Sequence, residues 1–106
     1  MSAPERLGHN EALFREINER IEAGTWVSSP ADRLAFTCEC AALRCNVLVE
    51  LTVSEYESVR AHPRHFLLAP GHELPAIETV VDRGEGYVVV EKTGDAAKAA
   101  KASDPR

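Results

Sequence analysis

Cys38-Glu39-Cys40-Ala41-Ala42-Leu43-Arg44-Cys45 contains all three cysteines of this 106-residue chain, and Pro70-Gly71-His72 follows downstream. Zinc takes four ligands in a tetrahedron, with Zn–S near ~2.3 Å and Zn–N near ~2.0 Å. A Cys-x-Cys pair on extended chain points both thiols to one face. The residues after Cys40 can turn the chain back, so that Cys45 approaches from the other side. Gly71 in a Pro-Gly turn lets the backbone that carries His72 bend close to another segment. These residue types in this order predict a Cys3His zinc site made of Cys38, Cys40, Cys45 and His72.

Other readings of the same residues stand beside it. His65 and His62 are rival fourth ligands, and His62 also suits a helix C-terminus for dipole reasons alone. Cys45 could serve as a small buried hydrophobe. The C-x-C-x4-C spacing differs from the commoner C-x2-C knuckle. An iron–sulfur cluster usually wants four cysteines, one more than the chain has.

The strands and helices around this stretch set the fold. Leu34 to Cys38 alternates as a short strand, and Asn46 to Thr52 is a second, with Val47, Val49 and Leu51 on one face. The cysteines fall in the turn of this antiparallel pair. Ser54 with Glu57 three positions on reads as a capping box for a short helix over 54–61, with Tyr56 and Val59 inward and Pro63 as its stop. Phe66-Leu67-Leu68-Ala69 is a buried strand, and Pro70-Gly71 matches a type II turn. Ile77–Val81 and Tyr87–Glu91 are two more strands, joined through Gly84-Glu85-Gly86 as a hairpin.

In front of this body, Leu13, Phe14, Ile17 and Ile21 recur at helical spacing. Asn10 fits an N-cap and Gly24 a C′ position, which predicts a helix over 11–23 behind an arm of residues 1–9. Glu16 with Arg20, and Arg15 with Glu19, can pair on its polar sides. His9 lies in the arm and gets no role. Trp26 and Val27, in the connection over 24–33, are expected to dock on the body. The Ala/Lys-rich tail is flexible or helical, since a lone segment that short is marginal unless it docks. The expected class is α+β: an N-terminal amphipathic helix, then a small antiparallel sheet domain of about five short strands and one short helix around the Cys3His zinc site. Its expected divisions are 1–33, 34–94 and 95–106.

Composition narrows the function. A formal net charge of −5 argues against sequence-independent nucleic-acid binding and against an anionic membrane surface. No stretch approaches the ~20 apolar residues of a membrane span. The opening Met1–Arg6 lacks the apolar core of a signal peptide, so the expected location is the cytoplasm. That compartment is reducing, and clustered thiols there more often hold metal than form disulfides. An odd cysteine count also leaves one thiol unpaired in any intramolecular scheme.

Three thiolates and an imidazole fill all four zinc positions, whereas catalytic zinc keeps one open for water. The reading therefore leans to structural Zn2+ and away from an enzyme. No Gly-rich phosphate loop or G-x-S-x-G elbow is present. The expected function is a zinc-stabilised protein-interaction or regulatory module. Its partner surface, for another protein or for self-association, is the helix stripe Leu13, Phe14, Ile17 and Ile21. One alternative is a thiol-based redox or metal sensor. The third is a metal-dependent enzyme, with Glu73 as its base.

The chain also resembles a family of uncharacterised small proteins of high-GC, actinobacterial-type bacteria. The resemblance rests on Asn10-Glu11-x-x-Phe14-Arg15-x-x-Asn18-Glu19-Arg20-Ile21-Glu22 and on Phe36-x-Cys38-x-Cys40-x4-Cys45. It continues through Leu51-Thr52-x-x-Glu55-Tyr56-x-x-Val59-Arg60, Phe66-x-x-x-Pro70-Gly71-His72, Tyr87–Lys92 and Asp104-Pro105-Arg106. It implies that Cys38, Cys40, Cys45 and His72 act as a unit, and it implies no established activity.

Overall fold

The structure, a computed structural model, describes residues 3–24, 29–40, 42 and 45–104, and of 3–12 the backbone alone. The elements run α1 (Ala3–Gly24), β1 (Arg33–Thr37), β2 (Leu48–Thr52), α2 (Val53–Arg60), β3 (His65–Leu68), β4 (Glu78–Gly84), β5 (Tyr87–Lys92) and α3 (Gly94–Ala102). The class is α+β, as the sequence predicts, with two small antiparallel sheets. One is the β1–β2 pair, in which Phe36 faces Val49 and Leu34 faces Leu51. The other has the order β3-β5-β4.

Alternation decides which faces are buried. Leu34, Phe36, Val49 and Leu51 point inward from β1 and β2, while Ala35, Leu48 and Glu50 point outward. Val47 lies just outside β2 and is exposed, against the sequence expectation that it shares the inward face. Strand β5 is the centre of its sheet and reads as the near-continuous apolar run Tyr87-Val88-Val89-Val90. Its hairpin with β4 closes on Glu85-Gly86, where Gly86 supplies the positive φ of 81°. The Tyr87 ring lies over Gly84, so close that a Cβ there would run into it.

The helix α2 starts one register earlier than its sequence suggests. Two overlapping capping patterns exist, and the chain uses Thr52-x-x-Glu55 instead of Ser54-x-x-Glu57. The Thr52 hydroxyl accepts from the Glu55 N–H at 3.1 Å, and Glu55 accepts from the Thr52 N–H at 2.8 Å. Tyr56 and Val59 do point inward, with Tyr56 stacked on Phe36 at 4.3 Å between ring centroids. The Ala/Lys tail is helix α3. It buries Ala96, Ala97 and Ala100 and packs on α1 and β5, so docking supplies the stability that a segment so short lacks alone.

Helix α1 departs most from expectation. It begins at Ala3, so Asn10 lies inside it and residues 3–9 are helical instead of an arm. Pro4 just inside the start is the signal that marks this end. Its docked face is also different. Arg15 and Asn18 are fully buried, whereas Leu13 is 49% exposed and Phe14 and Ile17 are half-buried. Ile21 packs against the core. Glu16 and Arg20 do pair, at 3.1 Å, and Glu19 reaches across to Arg60 at 2.7 Å. The expected docking of Trp26 and Val27 lies outside the described residues.

Candidate metal centre

The four residues of the sequence motif meet at one place. One ligand atom from each of Cys38, Cys40, Cys45 and His72 lies within 4.8 Å of the others. Cys38 and Cys40 leave the end of β1 on extended chain, and both are buried; Cys45 and His72 are half-buried. The Cys45 N–H donates to the Ala42 carbonyl at 3.0 Å. His72 ends the turn Ala69-Pro70-Gly71-His72, closed by its N–H on the Ala69 carbonyl at 3.1 Å. Gly71 at φ 87° gives that turn its type II geometry. The Glu73 carboxylate accepts from the Gly71 N–H at 3.1 Å and braces the same turn.

The spacing suits a small tetrahedral ion. Such an ion, about 2.3 Å from sulfur and 2.0 Å from nitrogen, separates a sulfur from a nitrogen donor by about 3.5 Å. His72 Nδ1 stands 3.6 Å from both Cys38 Sγ and Cys45 Sγ. Burial pushes the Cys38 thiol up to about 12 and raises Cys40 for the same reason. Without a cation these two buried thiols keep their protons at neutral pH. A bound cation reverses that preference, because its charge lies within the cluster. The Ala69 N–H already points at Cys38 Sγ, at 3.1 Å, a donor suited to a thiolate.

His62 and His65 lie elsewhere. Their rings meet at a tilt of 38°, 4.4 Å between centroids, and line a separate cleft. The group close enough to bind a metal includes His72 and neither of these two.

Glu39 has no role in the sequence reading, yet it joins the cluster to the rest of the fold. Alternation sends its side chain opposite to Cys38 and Cys40, into the interior, where it is fully buried. It accepts from the Leu67 N–H at 2.9 Å and from the Asn18 amide at 2.8 Å. Its own N–H donates to the Leu67 carbonyl at 2.7 Å, so the ligand segment extends the edge of β3. Burial raises the pKa of the Glu39 carboxyl, against the lowering pull of Leu67, Asn18 and the Arg15 charge.

Asn18 uses its whole hydrogen-bonding capacity here. Beyond Glu39, its amide donates to the Thr37 carbonyl at 2.8 Å, and its carbonyl accepts from the Thr37 N–H and hydroxyl at 2.7 and 2.9 Å. One turn away, Arg15 donates to the carbonyls of Pro63 at 2.7 Å, His65 at 3.1 Å and Ala100 at 3.4 Å. Its guanidinium also lies 3.8 Å over the Phe66 ring. The signal that could have found Glu39 is its position between two cysteines on extended chain. Arg15 and Asn18 carry no comparable mark in spacing or periodicity, because both are common on solvated helix faces.

Fold and cluster together define a small α+β chain carrying a Cys3His group close enough to bind a metal ion. Comparison with known protein families, curated proteins and solved structures found no match. Among the described residues, no helix is long and apolar enough to cross a membrane.

Proposed function

We propose that the chain is a zinc-stabilised interaction or regulatory module, in which the ion at Cys38, Cys40, Cys45 and His72 sets how firmly helix α1 is docked. The observation that carries this reading is Glu39. It stands between two of the cysteines and is held by Asn18 of α1 at 2.8 Å. Anything that shifts the Cys38–Cys40 segment must therefore also disturb the helix. Three thiols and one imidazole are a donor set that favours zinc over harder cations. Four protein ligands leave no position for a reacting water, which suits a structural ion better than a catalytic one. Clustered thiols suit a reducing compartment such as the cytoplasm.

The exposed Leu13, with the half-buried Phe14 and Ile17, is the surface through which α1 would engage another protein or a second copy. Ile21 drops out of that stripe, because it packs on the core. A second reading, a redox or metal sensor, is favoured by one feature. A shallow recess of about 170 Å³, lined by Cys40, Gly71 and His72 among others, opens beside the cluster. It gives an oxidant or a competing chelator a way in.

Hydrogen exchange on the full chain, with and without a zinc chelator, tests the proposal. The expected result is exchange about tenfold or more faster in α1 on chelation, with β5 still protected. Unchanged α1 protection contradicts the coupling. Simultaneous loss of protection everywhere makes the ion purely structural and removes the regulatory half of the proposal.

A further inference from the structure

On the far face of the β3-β5-β4 sheet, α2 and the sheet enclose a cleft of about 460 Å³. That volume falls in the range of roughly 300–1,000 Å³ typical of small-molecule sites. Its apolar surface comes from Val59, Val81 and Val89, and its polar surface includes Glu55, Asp82 and the Tyr87 ring. His62 and His65 also line it. Among the described residues, no lysine or arginine lines it.

A β-bulge builds one wall. The register of β4 on β5 slips between Val80 and Asp82, so Val81 is an extra residue there. The slip lets two consecutive residues, Val81 and Asp82, both face the cleft, where a regular strand would show only one. Arg83 pairs with Val88, next to Val89 in the chain and on the opposite face of the sheet.

The Thr52 N–H holds the Glu55 carboxyl below its ordinary value, and the Tyr87 hydroxyl donates to it at 3.2 Å. Arg33, whose charge reaches Glu55, is itself engaged by the Glu50 carbonyl and by Glu85. Burial and the neighbouring His62 hold His65 below its ordinary value, so its ring is neutral at neutral pH. The cleft therefore presents two carboxylates, an aromatic ring and an apolar floor. Carboxylate, ring face and apolar wall are the combination that recognises an ammonium group on an apolar body.

We propose that this cleft is a binding site for a small organic ammonium ion carrying an apolar group. The site is independent of the metal cluster and uses none of its residues. Benzylamine is a suitable probe, and phenylacetate, of similar shape and opposite charge, is its control. Amide chemical shifts of the full chain are followed as each is added.

Benzylamine should give saturable shifts at Val59, Val81 and Val89, and phenylacetate should not. Glu55→Gln and Asp82→Asn should each weaken benzylamine binding about fivefold or more, through loss of a charged partner. Both variants are expected to keep the native spectrum, since Gln also serves in a capping box and Asp82 is exposed on an edge strand. Absence of saturable benzylamine shifts overturns the proposal. So does equal binding of phenylacetate, or wild-type affinity in both variants.

Discussion

The extended segment Cys38–Cys40 has two sides that are built on different principles. On one side, two thiols join Cys45 and His72 within 4.8 Å of one another. On the other side, Glu39 enters a buried polar network with Asn18, Arg15 and their backbone partners. The first side uses rare residues at telling positions. The second uses common residues whose importance comes entirely from where the fold puts them. A strand's period of two links them, because a chain that aims both cysteines one way must aim Glu39 the other. The difference teaches that a metal cluster read from sequence is half of a device, and that its inward-facing neighbour completes it.

The largest expected effect comes from the network side. Arg15→Met removes a buried cation that serves three carbonyls and lies 3.7 Å from Asp104. Breaking such a partnership typically costs about 3–5 kcal/mol, enough to be plain in a urea titration. A loss under about 1 kcal/mol, the scale of an exposed pair, would place Arg15 among surface charges.

Asn18→Ala comes next and addresses the link itself. It leaves Glu39 and Thr37 short of buried partners, at about 1–3 kcal/mol. If the two sides form one unit, this variant also gives up its ion to a chelator faster, with its stoichiometry intact. A destabilised variant with wild-type metal release would separate the two sides.

Away from both, Thr52→Ala removes the observed capping box and should cost about 1 kcal/mol, while Ser54→Ala should cost little. A reversed order would restore the Ser54 reading. The same cap predicts a pH effect. The Thr52 N–H depresses the Glu55 pKa in the folded state relative to the unfolded chain. Its contribution is therefore full above the ordinary carboxylate range and is lost as pH falls through the folded value. Glu55→Gln should flatten that part of the acid-stability curve, and an unchanged curve would contradict it.

The smallest effect is expected at Arg20→Ala. Its pair with Glu16 is exposed on both sides, and such pairs contribute about 0.5 kcal/mol or less.

How much of this was legible beforehand follows the same division. The cysteines, the Pro70-Gly71 turn and His72 were readable, because few roles suit those residues in that order. The strands were readable from alternation, and Glu85-Gly86 from its turn chemistry. The start of α1 was not, since Gly8 and Asn10 are weak helix formers that suggest an end. Its docked face was hidden for a deeper reason. Periodicity weighs apolar residues, and the fully buried side chains of α1 among the described residues are Arg15 and Asn18. The α2 cap was ambiguous because Thr52-x-x-Glu55 and Ser54-x-x-Glu57 satisfy the same rule, and only the end of β2 decides between them. The docking of α3 was hidden because alanine, its buried residue, is also its best helix former.

Elemental analysis of the untagged chain tests the central claim most directly, alongside Cys38→Ser, Cys40→Ser, Cys45→Ser and His72→Ala. The account predicts about one zinc per chain, lost in all four variants together with the protection of α1 against hydrogen exchange. Wild-type protein that folds cooperatively with no bound zinc, or His72→Ala that retains its ion in full, would contradict it.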